Sequence, residues 1–113
     1  QAVKRFGKVL RLREGAESEY ERMHKEVWPD VVQAIGRAGI CNFTIFRYDR
    51  WLFCYFELPD QVSAEDAGRQ IASNPLCVEW ENLMHRLQEP LPESSGLNWW
   101  VEMKEIFHLE GRR

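Results

Sequence analysis

The chain has 113 residues, a formal net charge of −3, 44% hydrophobic and 29% charged residues, enough for one core of two packed layers and too apolar for disorder. No uninterrupted apolar run is long enough to span a bilayer, so no membrane partner is expected. The basic residues are scattered among acidic ones, which leaves no stripe of charge for a phosphate backbone and excludes nucleic acid as an expected partner.

From Lys4 to Leu12, Phe6, Leu10 and Leu12 share one parity, the period of a strand with one buried face. After Gly15, the segment Ala16 to Arg37 carries Tyr20, Met23, His24, Val27, Val31, Ile35 and Ala38 at helical spacing. Pro29 predicts a break there, because proline lacks the amide donor and disfavours helical geometry at Trp28; the helix restarts at Pro29 and stops near Gly39.

Ile40 to Tyr48 and Trp51 to Leu58 are rich in β-branched and aromatic residues and are joined by Asp49 and Arg50, the pattern of a hairpin. Asp60 to Ser73 reads as a weaker, polar helical stretch. A second amphipathic helix begins at the Asn74 cap and Pro75 and places Leu76, Trp80, Leu83, Met84 and Leu87 on one stripe as far as Gln88. Glu89 to Asn98, with two prolines, two serines and a glycine, reads as a loop, and Trp99 to Leu109 reads as a closing strand.

Strand, helix, strand, strand, helix, strand is the split βαβ order of an α+β protein: an antiparallel sheet with helices on one face. Apolar residues on both parities of the hairpin leave the other face in need of a cover, and a second copy of the chain is the simplest one. No linker divides residues 1–113, so one domain is expected. The N-terminus lacks the continuous apolar stretch of a secretory signal. Cys41, Cys54 and Cys77, odd in number and flanked by apolar residues, read as buried thiols of a reducing compartment, and a cytoplasmic protein is expected.

Tyr20, His24 and Trp28 are four residues apart and project from one helical face. A histidine that titrates near neutrality suits proton transfer at His24; the plainer alternative is a histidine hydrogen-bonded at the edge of the core. Glu81 and His85 are likewise four apart, either an acid with its base or a surface ion pair. Trp80, Trp99 and Trp100 belong to the core or offer an indole face to a sugar ring. The three histidines lack ligand spacing, so no metal is expected, and no glycine-rich phosphate loop, GxSxG or HExxH is present.

The segments EYERMHKEVWPDVVQAI (19–35), NFTIFRYDRWLFCYFEL (42–58), NPLCVEWENLM (74–84) and EMKEIFHL (102–109) together resemble the L-rhamnose mutarotases, in order and over nearly the whole chain. The resemblance implies a ferredoxin-like βαββαβ fold paired into a dimeric αβ barrel, hence a homodimer. It implies a cofactor-free isomerase that interconverts the α and β anomers of a 6-deoxy-sugar, L-rhamnose first and L-fucose as the alternative. His24 falls on the family's proton donor, Tyr20 on its substrate-binding tyrosine and Trp80 on the first of two pocket tryptophans. Phe43 stands where the family has a second tyrosine, and Glu81 where it has the second tryptophan. The expected assignment is His24 as acid at the ring oxygen, Tyr20 orienting it, Trp80 holding the ring, and Glu81 or a water as base. Two further readings remain: a cofactor-free monooxygenase of the same barrel class, and a sugar-binding module without catalysis.

Overall fold

The computed structural model describes residues 2–111. Its elements are β1 (Val3–Leu12), α1 (Glu17–Lys25), α2 (Pro29–Arg37), β2 (Cys41–Tyr48), β3 (Trp51–Pro59), α3 (Ala64–Ala72), α4 (Pro75–Leu87), β4 (Gln88–Glu89) and β5 (Val101–Met103). The antiparallel sheet runs β2-β3-β1-β4, with β5 also pairing β1, the strand order that the split βαβ reading requires. Among the described residues no helix is long and apolar enough to cross a membrane.

Side-chain alternation sorts the sheet into two faces. In the β1·β3 ladder Leu10 sits opposite Leu52 and Lys4 opposite Leu58; Leu10, Leu12, Leu52 and Leu58 are fully buried beneath the helices. Each such leucine stabilises the fold by about 2 kcal/mol through apolar area removed from water. The main core joins Leu12 and Leu52 to Tyr20, Val31, Ala34, Cys77, Trp80 and Met84, and a second cluster joins Ala38, Leu58 and Ala67.

The break at Pro29 is present. α1 ends at Lys25, Trp28 takes an extended conformation, and Pro29 opens α2 at its first turn. Asn74 caps α4 as expected, its Oδ1 accepting from the Leu76 amide at 2.9 Å. The polar stretch after the hairpin forms α3, capped by Ser63, which accepts from the Asp66 amide at 3.0 Å.

Three expectations are corrected. The closing strand is only Val101–Met103, and residues 104–111 hold no regular structure, because β5 finds a partner only at Gly7, Lys8 and Val9 of β1. Ile106, Phe107 and Leu109 are therefore exposed despite their strand-like composition. Leu76 is also exposed, since the buried stripe of α4 runs through Cys77, Trp80 and Met84. Finally, Cys41 lies at the exposed start of β2 and only Cys54 and Cys77 are buried.

Candidate active site

His24 stands in the last turn of α1, half-buried, with Nδ1 2.8 Å from the Tyr20 carbonyl oxygen. A carbonyl only accepts, so Nδ1 carries the hydrogen, leaving Nε2 as the nitrogen that can exchange a proton. The imidazole packs on the Tyr20 ring at 4.2 Å and meets the edge of Trp80 at 5.5 Å. Burial lowers its pKa below the ordinary histidine value and the hydrogen bond to Tyr20 opposes that, so the ring is neutral at pH 7.

The ring opens on a cavity of about 520 Å³ between α1, α2, β2 and α4, within the range of small-molecule sites. Val31 and Ile35 of α2, Phe43 and Ile45 of β2, and Trp80 of α4 form its apolar wall; Asn42 is its main polar neighbour besides His24. The Pro29 break lets this happen, since it turns α2 so that its apolar stripe faces the cavity His24 enters from α1. Trp28, at the break, meets the Trp80 ring at 5.2 Å and fixes its plane.

The local irregularity of β2 places Phe43. Between Cys41 and Thr44 the ladder with β3 slips its register, and Asn42 adopts φ 54° with its amide donating to Glu57 at 2.8 Å. Phe43 then lines both the His24 cavity and a narrower neighbouring one of about 190 Å³. Ile35 and Ile40 are shared walls as well. Glu81 faces the narrower cavity together with Lys8, Cys54, Asn98 and Trp100. Its carboxyl is desolvated by the surrounding protein, which pushes its pKa up to about 7.

Of the expected site residues, the fold thus gathers His24, Phe43 and Trp80 at one cavity and Glu81 at the adjoining one. Tyr20 differs: it is buried in the core, its hydroxyl pKa raised by burial with the Gln88 side chain opposing, and it meets the site as a buttress for the imidazole. Lys8 and Asn98 were missed by sequence reasoning, whereas Trp100 was expected, with Trp80 and Trp99, as core or sugar platform. Lys8 shares the parity of Phe6 and Leu10, which is the one signal that put it on the helix side of the sheet. Among the described residues no cluster of three or more histidine, cysteine or acidic side chains is arranged to hold a metal.

An antiparallel sheet covered on one face by helices, with a half-buried histidine at an apolar-walled cavity, defines a small α+β protein. A sequence profile described as L-rhamnose mutarotase matches residues 5–109, and the chain belongs to that family. It is 30% identical over 108 residues to the L-rhamnose mutarotase of Lactiplantibacillus plantarum, spanning 94% of this chain and 98% of that one. It is 38% identical over 113 residues to the L-fucose mutarotase of Xanthomonas campestris, spanning 96% and 90%. The crystal structure of an L-rhamnose mutarotase from Formosa agariphila shares the fold, with a TM-score of 0.72 at 21% identity over 95% of this chain and 99% of that one.

Proposed function

We propose that the protein interconverts the α and β anomers of L-rhamnose, with His24 and Glu81 as its two proton carriers and no cofactor. The observation that carries this is the His24 imidazole, fixed through Nδ1 and lining a cavity walled by Trp80 and Phe43. The indole offers a flat apolar surface to the C–H face of a pyranose.

The lowered His24 pKa and the raised Glu81 pKa reverse the roles expected from the sequence: Nε2 takes the proton of the anomeric hydroxyl while a proton from the Glu81 carboxyl goes to the ring oxygen, and the C1–ring oxygen bond breaks. The aldehyde turns about its C1–C2 bond. On closure the hydroxyl returns its proton to the Glu81 carboxylate, the His24 imidazolium gives its proton to the former carbonyl oxygen, and both groups are restored. His24 is thus acceptor in one half and donor in the other. Tyr20 orients it through the backbone carbonyl and ring contact. Because anomers exchange unaided in water, positioned proton transfer of about two to four powers of ten suffices.

His24→Ala should lower saturation-transfer exchange between the L-rhamnose anomers by about a hundredfold or more, with the fold retained by circular dichroism. Unchanged exchange removes the histidine from the mechanism. L-fucose is a second reading, favoured by the Xanthomonas campestris relative and by Phe43 and Glu81, which replace family residues at the wall; the same measurement on both sugars separates them.

The open sheet face supports a homodimer. It presents Phe46 at 62% and Tyr48 at 76% exposure, with Trp51, Phe53 and Met103 beside them, more contiguous apolar surface than a monomer ordinarily leaves in water. Phe46→Glu should convert a dimer to a monomer in sedimentation; a monomer before substitution ends this part of the proposal. Residues 1–113 act in this reading as one mutarotase domain, supported by the family match over 5–109. The free cysteines fit a reducing cytoplasm.

A further inference from the structure

Glu81 and His85 lie one turn apart on α4, with Glu81 Oε2 3.3 Å from His85 Nε2. Both atoms are buried and neither has a hydrogen-bond partner as placed. Two buried polar atoms facing each other unpartnered are costly, and one proton held between them turns the contact into a hydrogen bond that satisfies both. The imidazole is not free to turn away. It stacks on Trp99 at 3.7 Å between centroids with the planes 5° apart, and Trp99 is held through its carbonyl, which accepts from Ser94 Oγ at 2.6 Å.

We propose that Glu81 and His85 share a single proton and that His85, clamped by Trp99, is the positioning residue that keeps Glu81 ready as the second proton carrier. The proposal rests on the mutarotase reading for its chemistry and on α4 geometry for the pair itself. Glu81 faces the narrow cavity that adjoins the His24 cavity, and His85 lines neither of these two. The balance is simple. When the shared proton goes to the ring oxygen, Glu81 is left as a carboxylate beside the neutral His85 imidazole, which makes it a strong acceptor, and the same proton returns between the two on closure.

The other groups facing the pair are Lys8 of β1 and Cys54 of β3 across the narrow cavity, Cys77 of α4 on its outer side, and Tyr20 of α1, which feels the Glu81 charge. The Arg13 guanidinium lies at the His85 backbone carbonyl. Burial lowers the His85 pKa and the Leu97 backbone opposes it, while burial raises that of Glu81; groups in direct contact take up protons as a pair.

The test begins without substrate. The ring nitrogens of His85 are titrated by NMR in the unmodified protein and in Glu81→Gln, which cannot ionise. The pair predicts a two-step titration that becomes single, with its midpoint about one unit lower, once Glu81 is replaced. An unmoved midpoint overturns the pair. Anomer exchange is then followed against pH in His85→Phe, which keeps a flat ring on Trp99, with His85→Gln as the second variant should the first fail to fold. Exchange at pH 7 should fall about tenfold or more and its pH profile should move, with half-saturation kept within about twofold. A wild-type rate and profile overturns the positioning role. If the unmodified protein exchanges neither L-rhamnose nor L-fucose anomers, the mutarotase reading and the role of His85 in it fall together, while the titration alone decides whether the proton is shared.

Discussion

The two faces of the sheet are built from similar side chains and behave oppositely. Under the helices, Leu52, Cys54 and Phe56 of β3 meet a core and a pair of cavities; on the other side of the same strand, Trp51, Phe53 and Tyr55 face outwards with little over them. The carboxylates differ in the same way. Glu81, on the covered side, is pushed up to about 7 by desolvation, whereas Glu57, on the open side, is held below the usual carboxylate range by hydrogen bonds from Tyr55 and Asn42. Apolar composition alone therefore does not decide what a face does. The covering layer does, by removing water.

Leu52→Ala and Phe53→Ala probe neighbouring residues of one strand on opposite faces. The first empties a fully buried position and should cost about 3 kcal/mol in denaturant unfolding, while the second should change the stability of dilute, dissociated protein by less than about 1 kcal/mol. Equal losses would erase the distinction between the faces.

An effect of at most the same size as that of Leu52→Ala is expected from Glu81→Gln, and its magnitude depends on pH. The native state holds the Glu81 proton to about pH 7, whereas an unfolded glutamate releases it near 4.5. Stability from this group is therefore complete below 4.5 and drains away as pH rises to 7. The variant should gain up to roughly 3 kcal/mol over the original protein at pH 8, less whatever the His85 contact contributes, and nothing at pH 4. A gain that does not depend on pH would mean that the carboxyl is not the buried acid described.

The mildest change is Phe43→Tyr, which adds one hydroxyl at the wall shared by the two cavities. One hydrogen bond is worth about 1 kcal/mol, so the ratio of exchange rates for L-rhamnose and L-fucose should move by about three- to tenfold. A ratio that stays put would place the sugar away from this wall.

Much of this was legible beforehand because the relevant signals are local. The parity of Leu10 and Leu12, the helical spacing from Tyr20 to Ile35, the break at Pro29 and the Asn74 cap each depend on neighbours a few residues away. The closing strand was over-read because Trp99 to Leu109 has strand composition along its length, while pairing requires a partner and β1 offers one only to Val101–Met103. The site was half legible. The placement of Glu81, His85 and Trp99 as one cluster was not, since the Trp99 stack joins residues from separate elements across an irregular segment with no periodicity. Nor could spacing reveal that Tyr20 would be buried beside Gln88 instead of facing the larger cavity.

The irregularity at Asn42 gives the wall of the cavity a freedom that the rest of the sheet lacks. Within a regular ladder each side chain is tied to its opposite number, and a change of size is felt by the neighbouring strand. Phe43 sits where the register slips, between Cys41 and Thr44, so its exchange leaves the ladder on either side in place and is felt by β3 through the edge contact with the Phe56 ring at 5.9 Å. It is the place where descendants of this protein could acquire a taste for a different sugar at little expense to their architecture.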